Sequence, residues 1–135
     1  MFFSNPFGLR WYWVWFALGV GWVALVWYLS LASDLPIPGV EIQHVDKAGH
    51  LLAYACLMGW FGNLTTRRRS RVLLAGGLVL MGIGLEYLQG LGAQRAFEYA
   101  DMLANTLGVV LGYILTRGPL QRILKKLEDS WLKRA

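Results

Sequence analysis

Residues 11–31 form an unbroken stretch with no charged side chain, from Trp11 to Leu31. A run of that length matches the roughly 20 residues that a helix needs to cross a hydrocarbon core. Trp11, Tyr12 and Trp13 stand at one end and Trp27 and Tyr28 at the other, as interfacial aromatic anchors do. Ser30-Leu31-Ala32 offers the small residues of a signal-peptide cleavage site. The run is nevertheless too long and too rich in tryptophan for a signal-peptide core, so a retained membrane helix is expected.

Three further apolar runs predict helices over about 46–64, 72–91 and 100–116. The chain is 56% hydrophobic and only 16% charged over 135 residues, far from the balance of a soluble domain. Four crossings consume most of the length, which leaves one membrane domain over 1–135 and no separate soluble domain. The sixteen glycines suit membrane helices, which use small residues for close approach. The single cysteine, Cys56, excludes an intrachain disulfide. The expected fold is therefore an all-α four-transmembrane-helix bundle. After Gly118 and Pro119, residues 119–133 place Leu120, Ile123, Leu124, Leu127 and Trp131 at 3–4 residue spacing, opposite Arg122, Lys125, Lys126 and Lys133. That pattern predicts an amphipathic basic helix lying on an anionic membrane surface.

Charge sorts the loops. Pro36, Pro38 and Gly39 mark a loop over 33–45, and 90–99 forms a second one. Arg10, the arginines Arg67, Arg68, Arg69 and Arg71, and the six basic residues from Arg117 onward all fall on one side of a four-helix topology. Only Lys47 and Arg95 fall on the other. Lys/Arg excess in short loops marks the cytoplasm, so both termini are expected inside. The net charge of +5 is thus a topology signal, and nucleic-acid binding is not expected.

Six of the eight acidic residues (Asp34, Glu41, Asp46, Glu86, Glu98, Asp101) and both histidines, His44 and His50, gather on the outer side. Asp46, His50 and Tyr54 share one helix face at four-residue steps, Glu86 and Gln89 lie one turn apart, and so do Asp101 and Asn105. Ionised residues cost about 2.5–3.5 kcal/mol at the centre of an inserting helix, so a cluster at one depth should face itself or a polar pocket. Simpler roles exist for single members. Asp46 and Asp101 fit as helix N-caps, and Glu86 could pair with Lys47 or Arg95. Asn105 and Gln89 could serve as interhelical glue, while Ala104, Gly108 and Gly112 would let the fourth helix approach a neighbour closely. The set as a whole favours a site, because caps and glue do not require His, Glu, Arg and Asp together.

His50 has the intrinsic pKa for proton transfer, with Glu86 and Asp101 as partners in any catalytic reading. His50, Glu86, Glu98 and Asp101 are also candidate ligands for a divalent metal, although no metal-spacing motif is present and no cofactor is expected. Polar residues confined to one rim fit a binder of an amphiphile's head group better than a transporter, which would want charges deeper in the bilayer.

The segment Asp46-Lys47-Ala48-Gly49-His50-Leu51-Leu52-Ala53-Tyr54, then Glu86-Tyr87-Leu88-Gln89, then Arg95, Asp101, Asn105, Gly108 and Gly112, resembles the VanZ-like family. Its pattern is D-K-x-x-H-x-x-x-Y, E-x-x-Q, and R followed by D-x-x-x-N-x-x-G, and the likeness covers about residues 30–116. Gln94 stands before Arg95 where a proline or glycine is usual, and Asp34 replaces a frequent serine. The resemblance implies a small polytopic protein of the bacterial cytoplasmic membrane; the family's namesake is associated with reduced susceptibility to the lipoglycopeptide teicoplanin. Some members carry the name of an enzyme, phosphotransbutyrylase, but nothing in this sequence looks like a coenzyme A site. Carried over, the pattern marks Asp46, Lys47, His50, Tyr54, Glu86, Gln89, Arg95, Asp101 and Asn105. The leading expectation is an outer pocket that binds or shields an envelope amphiphile, such as a lipid-linked precursor or a lipoglycopeptide, with membrane lipids as standing partners. A membrane-embedded hydrolase or transferase with His50 as general base is the alternative, and a structural subunit of a larger complex is a third.

Overall fold

The structure, a computed structural model, describes residues 5–32, 42–91 and 98–134, the side chains of 42–46 excepted. Among the described residues it is entirely helical: α1 (Tyr12–Leu31), α2 (Ile42–Gly62), α3 (Arg68–Leu91), α4 (Tyr99–Leu115) and α5 (Ile123–Leu132). The all-α expectation holds. Two helices, α1 and α3, are both long and apolar enough to span a membrane. α4, with 17 residues, is a shorter apolar helix. α2 has the length, with 21 residues, but Asp46, Lys47 and His50 occupy its first half.

α2 is the central helix. Tyr54, Leu57, Met58, Phe61 and Leu64 are all buried, and α1, α3 and α4 all rest against it. Its closest partner is α4, whose buried positions Asp101, Ala104, Asn105, Gly108, Val109 and Gly112 follow the 3–4 spacing of a single face. A methyl group placed on Gly108 would meet the Leu51 carbonyl oxygen, and one on Gly112 would meet the Ala55 carbonyl oxygen. The small-residue stripe read from the sequence is therefore the seam on which α4 touches the α2 backbone. α1 buries only Tyr12, Gly19 and Val26, seven residues apart, and exposes Trp13, Leu18, Leu25, Tyr28 and Leu29 on its other sides. Exposed apolar surface on that scale is ordinary in lipid and untenable on a soluble monomer.

Several boundaries differ from the sequence expectation, each for a local reason. α2 begins at Ile42, four residues early, because nothing after Pro38-Gly39 breaks a helix. Asp46 is consequently inside α2 and cannot be its N-cap. Asp101 is not a cap either: Glu98 holds the N-cap position of α4, without a side-chain cap bond, and Asp101 lies in the first turn. Acidic charge there still suits the positive end of the helix dipole. α3 starts at Arg68, so Arg68, Arg69 and Arg71 belong to its first turn rather than to a loop. The amphipathic tail is also shorter than 119–133, since Arg122 adopts a left-handed conformation (φ 66°) and α5 begins only at Ile123.

The basic end of the bundle is firmly tied. The Arg71 guanidinium, buried, donates to the Gly62 and Thr65 carbonyl oxygens at 2.8 and 2.9 Å, the unsatisfied acceptors where α2 ends. Asn63 donates to the Gly59 carbonyl at 2.9 Å and accepts the Ile123 amide at 3.1 Å, which fixes the start of α5. On α5, Leu124 and Glu128 face the bundle while Leu127 and Trp131 stay exposed. The Glu128 carboxylate accepts the Arg10 and Trp11 amides (2.6 and 3.1 Å) and the Trp15 indole N–H (3.0 Å), and so caps α1 from the far end of the chain. Burial pushes this carboxyl up, but the three donors outweigh it and hold it below the usual glutamate range.

Candidate functional site

The start of α2, the end of α3 and the start of α4 meet at the opposite end. Lys47, in the second turn of α2, pairs with Glu98 at 2.7 Å and with Asp101 at 3.7 Å. His50, one turn on, places Nδ1 3.1 Å from Asn105 Oδ1 and Nε2 4.0 Å from Asp101 Oδ2. With Asn105 Oδ1 accepting, Nδ1 carries the proton and Nε2 is the nitrogen turned towards Asp101. Tyr54 follows after another turn and is 1% exposed. Its hydroxyl and the Asn105 amide converge on Gly82 of α3, where an added methyl group would lie within 3.3 Å of both. A side chain there would make Asn105 and Tyr54 give by a few tenths of an ångström.

Glu86 lies one turn beyond Gly82 and is 2% exposed. Its Oε1 accepts the Glu98 amide at 2.8 Å, joining the end of α3 to the start of α4, and its carboxylate is an electrostatic neighbour of Tyr54. Gln89, one turn further, donates to the Ser30 carbonyl and secures α1 to the same end.

Seven of the nine residues singled out in the sequence are therefore placed by the structure: Lys47, His50, Tyr54, Glu86, Gln89, Asp101 and Asn105. Six of these, all but Gln89, form one connected cluster, whereas Gln89 serves as a tether to α1. The Asp46 side chain and Arg95 lie outside the described residues, as do Asp34 and Glu41 and the side chain of His44. Lys47 does not pair with Glu86; its charge goes to Glu98 and Asp101, because α2 and α4 are the tightest pair. Among the described residues no group of three His, Cys, Asp or Glu side chains could hold a metal ion. Gly82 was not foreseen, since a glycine in a glycine-rich helix carries no signal of what crosses it.

The two ends of the bundle differ in one respect. At the basic end the buried polar groups Asn63, Arg71, Thr116 and Glu128 all hold hydrogen bonds. At the acidic end three buried atoms have no hydrogen-bond partner among the described residues: Tyr54 Oη, Glu86 Oε2 and Asp101 Oδ1. A buried polar atom left unpaired costs about 1–3 kcal/mol, so structural glue does not explain this arrangement. Beside it, Tyr87, Gly90, Leu91 and Tyr99 line an open groove of about 300 Å³ between the end of α3 and the start of α4.

The VanZ/LLP1 family model matches this chain over residues 9–124. A protein of Schizosaccharomyces pombe, itself uncharacterised, is 31% identical over 103 residues. That alignment covers 74% of this chain and 60% of the yeast protein, so the chain spans about three fifths of that relative's length. No solved structure matches. The family match, with two helices long and apolar enough to cross a bilayer, marks a membrane protein.

Proposed function

The chain belongs to the VanZ/LLP1 family, and from that premise we propose that it is a four-crossing protein of the cytoplasmic membrane whose acidic end receives the head group of an envelope amphiphile. The observation that carries this reading is a trio of buried atoms with no hydrogen bond among the described residues, on three different helices: Tyr54 Oη, Glu86 Oε2 and Asp101 Oδ1, the last holding only the 3.7 Å ion pair with Lys47. Intramembrane polar groups that are buried without a hydrogen bond are what a polar ligand would complete. The neighbouring groove, edged by Tyr87 and Tyr99, suits the apolar part of the same molecule.

Four crossings are favoured by the alternation of helix ends. The start of α1, the end of α2, the start of α3 and the end of α4 lie at the basic end, tied by Tyr12 to Leu64, Arg71 to Gly62 and Asn63 to Ile123. The excess of Lys and Arg there favours cytoplasmic termini and an outer site. In this setting the ligand classes are a lipid-linked wall precursor or a lipoglycopeptide, and binding would alter antibiotic susceptibility. Binding of fluorescent lipid-linked precursor and of labelled teicoplanin to the purified chain tests the reading. His50→Ala and Arg95→Ala should each weaken binding and shift susceptibility; if neither quantity moves, the reading falls.

A membrane-embedded hydrolase or transferase is the second reading, favoured by the His50 contacts with Asn105 and Asp101. It predicts turnover of labelled envelope lipids that His50→Ala abolishes, and clean absence of product counts against it.

A further inference from the structure

We propose that the head group this site accepts is a primary ammonium, seated between Glu86 and Tyr54. The inference rests on the reading that an amphiphile enters at the acidic end, and adds which chemistry is recognised there.

The first ground is charge. Among the described residues this end holds three acidic side chains, Glu86, Glu98 and Asp101, and one basic one, Lys47, which is already committed to Glu98 and Asp101. Glu86 has no cation beside it among the described residues, although it is 2% exposed. A carboxylate held in that state is completed by a donor that brings positive charge, and an anionic head group would meet repulsion.

The second ground is the kind of atom left unpaired. Glu86 Oε2 is an acceptor, and Tyr54 Oη can accept as well as donate. Tyr54 is not acidic and is 1% exposed, so its unpaired hydroxyl is independent of the carboxylate argument. The two groups belong to different helices and are electrostatic neighbours. A primary ammonium carries three N–H donors in a small volume, enough for both oxygens at once. A quaternary ammonium carries none and is too bulky for a site closed by the approach of Gly82 to Tyr54 and Asn105.

The third ground is placement. Tyr87 follows Glu86 in sequence and Tyr99 follows Glu98, so the groove residues are immediate neighbours of the two glutamates that the Glu98 amide joins. An amphiphile whose amine reaches Glu86 would leave its apolar part along that groove.

The test uses the purified full chain in detergent, titrated with dihexanoyl lipids that differ only in head group: ethanolamine, choline or glycerol. Free ethanolamine, in a separate arm, distinguishes a lipid source from a soluble amine. Binding is read by tryptophan fluorescence and by the shift in melting temperature. The ethanolamine lipid should bind about tenfold more tightly than the choline lipid, the scale of a lost charge-assisted hydrogen bond. Glu86→Gln should remove that preference, and Tyr54→Phe should reduce it several-fold. Equal affinity for the three head groups overturns the proposal, as does a preference that survives Glu86→Gln. If Glu86→Gln does not fold, the head-group series on the wild-type chain decides alone. Should a lipid-linked precursor bind while ethanolamine and choline lipids bind alike, the ammonium proposal fails and the amphiphile reading stands. If no amphiphile binds, both fail.

Discussion

Replacing Gly108 by alanine adds one methyl group where α4 crosses α2. That methyl would sit 2.3 Å from the Leu51 carbonyl oxygen and 3.1 Å from the Ala55 amide nitrogen. Both are backbone atoms, so no rotamer change relieves the clash. Ordinary contact begins at 3.4 Å, and the helices must therefore part by about 1 Å at this point. Overpacking of this kind costs about 1–3 kcal/mol. The parting also loosens Leu57, Met58 and Val109, which are 0–2% exposed beside the seam. Gly84→Ala is the matched control, because a methyl there meets nothing within 4 Å. Alanine is a better helix former than glycine by up to about 1 kcal/mol, so the control should be neutral or stabilised. The two variants should differ by about 1–4 kcal/mol. For a chain of this size that is a separation of about 5 °C or more in melting temperature. Tryptophan fluorescence during heating in detergent measures it. Gly108 also lies one turn from Asn105, so the 3.1 Å contact with His50 should be lost and ligand binding should weaken in step. If Gly108→Ala melts at or above Gly84→Ala, the helices do not meet backbone to backbone, and the site distances that depend on that seam lose their support.

Other outcomes follow from the opposite end. Arg71→Met leaves the Gly62 and Thr65 carbonyls without their donor and should cost about 1.5–3 kcal/mol, read as the same melting shift. Glu128 has its carboxyl held below the usual range in the folded state, so its contribution is complete above the ordinary value of about 4.3 and is lost as pH falls through the lower folded value. Acidification below about pH 4 should release α5, seen as quicker proteolysis of the C-terminus; Glu128→Gln should show that release at neutral pH and no further acid step. For topology, single cysteines at Arg69 and Tyr99, in a Cys56→Ser background, should label from opposite sides of the membrane with an impermeant maleimide. Labelling from the same side contradicts the alternation of helix ends.

The sequence made α1 legible almost to the residue, because an uncharged run flanked by tryptophans has one physical reading in lipid. The Ala104-Gly108-Gly112 stripe was equally legible, since four-residue spacing of small side chains permits close approach and little else. What could not be read was the partner: spacing says that a face is flat, not which helix lies on it. The start of α3 was missed because three arginines in a row, with a fourth after Ser70, look like a loop. They are tolerated in the first turn, where the dipole disfavours them, only because Arg71 reaches across to the end of α2. Glu128 carries no signal in the sequence, because its role depends on Arg10 and Trp11 more than a hundred residues away. For the site, the sequence supplied the residue types and their depth. It could not show that Lys47 would turn to Glu98 and Asp101, leaving Glu86 without a cation among the described residues.

That last distinction bears on how the site can move. Two of the atoms without a hydrogen bond, Tyr54 Oη and Asp101 Oδ1, sit on α2 and α4, and those helices are locked together by backbone contacts at Gly108 and Gly112. The third, Glu86 Oε2, sits on α3, which approaches through the side chains of Tyr54 and Asn105 over Gly82 rather than through backbone. Side chains can give by a few tenths of an ångström where backbone cannot. Any opening that admits a ligand to these buried atoms is therefore a displacement of α3 against a fixed α2–α4 pair. Gly82→Ala should disturb that hinge selectively: its methyl would lie 3.0–3.3 Å from the Asn105 and Tyr54 side chains, which can yield. Stability should fall by less than for Gly108→Ala, while ligand affinity falls by more than stability accounts for. Equal losses in both would mean that α3 is as rigidly seated as α4.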